Sequence, residues 1–125
     1  MGKTTILYIE DNAENRLLVR RILQAEGYEV LEATDGPSGL DAARRLQPDL
    51  ILLDINLPEV DGYQMVGLLR QLPGMERVPI VALTANVMKG DRERTIAAGC
   101  TGYIQKPVDV DALPVQVAGF LRRRP

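Results

Sequence analysis

The sequence predicts a doubly wound α/β domain. Short, wholly apolar runs recur along the chain, and each is followed by a longer segment whose apolar residues fall at helical spacing. The 125 residues amount to one domain, with no internal repeat, low-complexity stretch or Gly/Ser-rich linker to divide them. Five strand–helix pairs in strict alternation imply parallel strands joined by right-handed crossovers.

The elements follow in order. Ile6-Leu7-Tyr8-Ile9 is an apolar run suited to a strand buried on both faces. The helix after it has Asn12 or Asn15 as cap, Leu18, Ile22 and Ala25 at i, i+4 and i+7, and Gly27 as its end. Residues 28–33 are more mixed and read as an outer strand; a second helix spans Gly36 to Leu46, with Pro48 beyond it. Leu50-Ile51-Leu52-Leu53 is a second doubly buried strand, followed by a helix with Tyr63, Val66, Leu69 and Leu72 that stops at Pro73-Gly74. Ile80-Val81-Ala82-Leu83 is a third such strand, and the next helix lies between Lys89 and Ala98, closed by Gly99. Gly102-Tyr103-Ile104-Gln105 is the other outer strand. The last helix begins after Asp109 or Asp111 and carries Leu113, Val117, Phe120 and Leu121. Pro114 fits only in its first turn, where a missing N–H breaks no intrahelical bond.

Composition excludes many chemistries. The chain has no histidine and one cysteine, with 15 Lys plus Arg against 17 Asp plus Glu for a net charge of −2. Without histidine there is no Ser-His-Asp or Cys-His catalysis and no His-ligated zinc or haem. One cysteine allows neither an internal disulfide nor a thiolate-built metal site. Any metal must be bound by oxygen, which points to Mg²⁺ or Ca²⁺. The mild charge balance gives no reason to expect nucleic-acid or membrane-surface binding. No stretch has the apolar length of a membrane span, and the first residues lack a signal peptide's apolar region, so a cytoplasmic protein is expected.

In a doubly wound sheet, ligands bind beyond the carboxyl ends of the strands. Glu10-Asp11 follows the first strand, Asp54 the third, Thr84 the fourth and Lys106 the fifth. Parallel strands would bring these polar groups to one crevice. Clustered carboxylates repel and require a counter-charge, which a divalent ion and an ammonium supply. Such an arrangement receives a phosphoryl group well, since phosphoryl transfer asks mainly for positioning and charge neutralisation. An ionised carboxylate can attack phosphorus without a general base, so the absence of histidine is no obstacle.

These residues resemble the signature of the response-regulator receiver domain across nearly the whole chain. The match comprises Glu10-Asp11, Asp54 within Pro48 to Pro58, Asp61-Gly62, Thr84-Ala85, Gly99-Cys100, and Tyr103 before Lys106-Pro107. The resemblance implies a flavodoxin-like (βα)5 sandwich, strand order 2-1-3-4-5, forming one receiver domain over residues 1–125 with no output domain. It implies Asp54 as phosphoacceptor. Glu10, Asp11, Asp54 and the Asn56 carbonyl would hold Mg²⁺, with Lys106 contacting the phosphoryl group. Thr84 would donate to a phosphoryl oxygen and Tyr103 would be the aromatic switch. A cis Lys106–Pro107 bond is also implied. The partners implied are a histidine kinase or histidine phosphotransferase upstream, and a downstream protein on the face of the fourth helix, fifth strand and fifth helix. A monomer or a phosphorylation-linked dimer is expected. Residues 88–93 with 98–100 resemble DivK-type single-domain regulators and the receivers of hybrid histidine kinases. By the same resemblance, Asn56 and Asn86 would tune dephosphorylation.

Blander readings stand beside these. Glu10-Asp11 also suits a helix N-terminus. Tyr103 also suits simple packing. Cys100 reads as a small buried hydrophobe. Arg122-Arg123-Arg124 reads as a solvated helix end. Three other functional classes fit the fold: a receiver cut from a hybrid kinase, a phosphorylation-independent binding module, and an aspartyl-phosphate phosphatase. The last would want a second acid two residues after its nucleophile, where this chain has Asn56.

Overall fold

The computed structural model describes residues 2–58, 60–85 and 89–122, and only the backbone of 89–92. Five strands and five helices alternate: β1 Thr5–Ile9, α1 Ala13–Ala25, β2 Glu29–Ala33, α2 Gly36–Leu46, β3 Leu50–Asp54, α3 Gly62–Gln71, β4 Ile80–Thr84, α4 Lys89–Ala97, β5 Gly102–Gln105 and α5 Ala112–Arg122. The strands form one parallel sheet in the order β2-β1-β3-β4-β5, as expected from the sequence.

Strand periodicity sorts the core into two layers. Leu7, Ile9, Ile51, Leu53, Ile80 and Ala82 face α2 and α3, where they meet Ala42, Ala43, Met65, Val66 and Leu69. Ile6, Tyr8, Leu50, Leu52, Val81, Leu83 and Ile104 face α1 and α5, where they meet Val19, Leu23, Leu113 and Val117. All residues of β3 and β4 are buried, which is why both strands are apolar up to their last residues, Asp54 and Thr84. Each fully buried Leu, Ile or Val contributes about 1.5–3 kcal/mol of transfer free energy.

Local chemistry sets the helix ends. Asn12 caps α1 by accepting from the Asn15 N–H at 2.9 Å. Asp35 caps α2 in a reciprocal box with Ser38. Gly27, at φ +90°, follows α1 in the left-handed region that glycine tolerates. The Asp109 carboxylate accepts from the Asp111 and Ala112 N–H groups at 2.8 and 3.0 Å, which opens α5 and leaves Pro114 in its first turn. Arg70, near the end of α3, donates to the carbonyls of Met75, Val78 and Gly99 at 2.9, 2.6 and 2.9 Å. One guanidinium thus ties the α3–β4 connection to the turn before β5.

The face of α1 differs from the sequence reading. Val19 and Leu23 are its buried residues, whereas Leu18 is 40 % exposed and Ala25 is exposed. Leu17-Leu18-Val19 allows two helical stripes, and the sheet selects the one containing Val19. Asp54 and Thr84 also lie within their strands, as the last paired residues, rather than after them.

Candidate active site

Ile9 pairs with Leu53 across β1 and β3, so Glu10 and Asp54 are the next residues on adjacent central strands. Both continue the stripe that faces α1 and α5. Burial at this edge is nearly complete: Glu10 is 1 % and Asp54 3 % exposed. Asp11 is exposed. Glu10, Asp11 and Asp54 each offer an oxygen, and the three oxygens lie within 4.8 Å of one another. This is the cluster expected from the strand ends. Asp11 does not cap α1; Asn12 does.

Lys106 arrives from the β5–α5 loop. Its Nζ lies 3.1 Å from Asp54 Oδ1 and 3.1 Å from Glu10 Oε1. Burial alone would lower the Lys106 pKa, but the hydrogen bond and charge of Asp54, joined by those of Glu10, hold it above the usual lysine range. Lys106 N–H donates to Thr84 O at 2.8 Å, fixing the loop to the end of β4. The Lys106–Pro107 peptide is cis, as expected.

The remaining expected residues occupy two places. Asn56 is exposed, and its N–H donates to Asp54 Oδ1 at 3.0 Å. That bond orients the carboxylate from the loop after β3. The same loop lies under Gly62 at the start of α3, where an added Cβ would stand 2.5 Å from Ile55 O. Thr84 is 5 % exposed at the end of β4. Tyr103 is half-buried on β5 and packs against the α2/α3-side core rather than in the carboxylate cluster. Ala82 pairs with Tyr103 and Thr84 with Gln105, so Thr84 and Tyr103 sit diagonally on the same face of the sheet. Asn86, Arg123 and Arg124 lie outside the described residues.

Two contributors escape the sequence reading. Tyr8, fully buried in β1, donates its hydroxyl to Glu10 Oε1 at 2.9 Å. Burial first, and then the Glu10 charge, push its pKa well above the tyrosine range, so the phenol remains a donor. The available signal was a tyrosine two residues before Glu10, hence on the same strand face. Arg16 donates to the Glu10 carbonyl at 2.9 Å and pairs with Glu32 at 3.7 Å. A cleft of about 370 Å³ opens beside the cluster. Tyr8, Asn15 and Lys106 form its polar side and Leu18, Val19 and Val108 its apolar side.

The donor set fits a hard divalent cation. Among the described residues, three carboxylates meet here with one ammonium against them, which leaves negative charge uncompensated, and the ligand atoms they offer are oxygens.

The model of the response regulator receiver domain matches residues 6–118. The chain belongs to this family. The polar-differentiation response regulator DivK of Brucella anthropi is 39 % identical over 117 residues, covering 94 % of this chain and 95 % of that protein. Among solved structures, the chemotaxis response regulator CheY4 of Vibrio cholerae superposes with a TM-score of 0.91 at 28 % identity, over 95 % of this chain and 99 % of that one. The receiver domain of sensor histidine kinase PA1611 from Pseudomonas aeruginosa, solved with a magnesium ion coordinated in its active site cleft, gives 0.87 at 36 % identity, over 97 % and 99 % of the two chains. Receiver domains are the phosphoacceptors of two-component signalling, served by histidine kinases or histidine phosphotransferases. Among the described residues, no helix is long and apolar enough to cross a membrane.

Proposed function

We propose that Asp54 is the phosphoacceptor of this receiver, a DivK-like response regulator in a cytoplasmic two-component pathway or phosphorelay. The observation that carries this is the setting of Asp54. Its carboxylate is buried, its Oδ1 is bound by Lys106 and by the Asn56 N–H, and Glu10 and Asp11 lie beside it.

The step is a transfer between two nucleophiles. An Asp54 oxygen attacks the phosphorus of a partner's phosphohistidine; the P–N bond breaks, and its electron pair leaves with the imidazole nitrogen. The product is an acyl phosphate on Asp54. Asp11, Asp54 and the Asn56 carbonyl would hold Mg²⁺, with Glu10 contributing directly or through water. When bound, the ion neutralises charge on the phosphoryl oxygens. Lys106 holds Asp54 in place and then pairs with the new phosphoryl group. Two residues after Asp54, Asn56 occupies the position where a phosphatase would carry its acid, so dephosphorylation is left to attack by water, tuned by Asn56 and Asn86.

The new charge draws the Thr84 hydroxyl to a phosphoryl oxygen. Tyr103, its diagonal neighbour, then turns inward, and the α4–β5–α5 face shifts toward a form that binds a downstream protein. This is a population shift biased by local charge. The working unit is a monomer or a phosphorylation-linked dimer.

Transfer from a phosphorylated histidine phosphotransferase tests the reading. The wild-type chain takes the label only with Mg²⁺, and Asp54→Asn takes none. Undiminished labelling of Asp54→Asn overturns the assignment.

A further inference from the structure

Glu10 Oε1 receives three side-chain donors: Tyr8 Oη at 2.9 Å, Lys106 Nζ at 3.1 Å and Asn15 Nδ2 at 3.4 Å. Among the described residues, Oε2 receives the Asn12 N–H at 3.4 Å. A carboxylate oxygen has about two lone-pair sites, so Oε1 is saturated while Oε2 retains capacity. The three donors differ in how firmly they are held. Lys106 reaches in from a loop, and Asn15 stands on the first turn of α1. Tyr8 is fully buried in a central strand between Ile6 and Glu10 on the same face, its ring packed in the core on the α1/α5 side. A buried phenol must find an acceptor, and strand periodicity presents Glu10 to it.

We propose that Tyr8 is a positioning residue, whose hydroxyl fixes Glu10 Oε1 on the Lys106 side and so reserves Oε2 for the divalent cation, directly or through water. The inference rests on the reading of Glu10, Asp11 and Asp54 as the cation site. Its physical content is pre-organisation. A carboxylate free to rotate would offer either oxygen to Lys106 and would lose that freedom when the cation binds. Tyr8 removes the freedom beforehand, as groups behind metal ligands commonly do.

The test is an NMR titration with MgCl2 of the wild type, Tyr8→Phe, Glu10→Gln and the double variant. Tyr8→Phe keeps the ring and deletes only the donor. It should raise the Mg²⁺ Kd about tenfold. In the Glu10→Gln background the same change should have no further effect, which a simple packing defect would not reproduce. A Tyr8→Phe Kd within about twofold of wild type, or an equal loss in both backgrounds, overturns the proposal. Should Tyr8→Phe not fold, the ring resonances of Tyr8 in the wild type, assigned apart from those of the other three tyrosines, decide. They should shift on Mg²⁺ saturation; no shift rejects the role. A wild type that binds no Mg²⁺ removes the cation-site reading itself, and this proposal with it.

Discussion

The Lys106 ammonium stands 3.1 Å from Asp54 Oδ1, closing the β5–α5 loop against the end of the central strand. The Lys106 side chain keeps 20 % of its exposure, so the pair is partly screened by solvent. Removing one partner of such a pair leaves a charge without compensation. Lys106→Met should lower stability by about 1–3 kcal/mol in urea titrations. It should also slow Mg²⁺-dependent labelling by acetyl phosphate at least about tenfold. Unchanged labelling would make the ammonium a bystander.

Cation binding should appear as stability. At a Mg²⁺ concentration about ten times Kd, linkage adds about 1.4 kcal/mol to the wild type. Asp11 is exposed, so Asp11→Asn should fold normally and lose that increment. Thermal unfolding with and without MgCl2 measures both, and an equal increment in the two proteins would remove Asp11 from the site.

Two glycines in α3 make a matched pair. An alanine Cβ at Gly62 would lie 2.5 Å from Ile55 O and 2.7 Å from Ile55 Cα, whereas one at Gly67 meets nothing within 4 Å. Gly62→Ala should cost about 1–3 kcal/mol and disturb the loop that carries Asn56. Gly67→Ala should gain about 0.5–1 kcal/mol from helix propensity. Urea midpoints of equal value would show that the α3 start can move away from the Asp54 loop.

Alkaline pH should weaken the fold through Cys100 first. Burial pushes its thiol up to about 11, above the value in the unfolded chain. A raised pKa contributes stability that is whole below the unfolded pKa and is lost as pH rises through the folded one. Between about pH 8.5 and 10, stability should fall by about 1–2 kcal/mol, and Cys100→Ala should flatten that slope. Lys106, also raised, has the same sign but begins to contribute only above the ordinary lysine range. An unchanged slope in Cys100→Ala would exclude the thiol as its source.

The cluster was legible because its physics is local. Apolar runs ending in Glu10, Asp54 and Thr84 mark strand ends, and parallel topology converts strand ends into neighbours. Lys106 was legible from its place before Pro107. Tyr8 was not, because inside Ile6-Leu7-Tyr8-Ile9 it counts only as one more large core residue. Its role depends on a hydroxyl meeting a carboxylate two residues away. Arg16 was hidden because it binds a backbone carbonyl, which no side-chain pattern announces. The stripe of α1 was misplaced by one residue for a related reason. Leu18 fits a helical core position, but it borders the cleft beside Lys106 while Val19 fills the core.

A phosphoryl group carried by Asp54 itself leaves a chemical mark at that residue. Borohydride reduces an aspartyl phosphate to homoserine, so peptide mass spectrometry after phosphotransfer in Mg²⁺ and borohydride treatment reads the position directly. Homoserine is expected at residue 54 and is lost when Mg²⁺ is chelated. Unmodified Asp54 in a fully labelled protein, or homoserine at Asp11 instead, would contradict it.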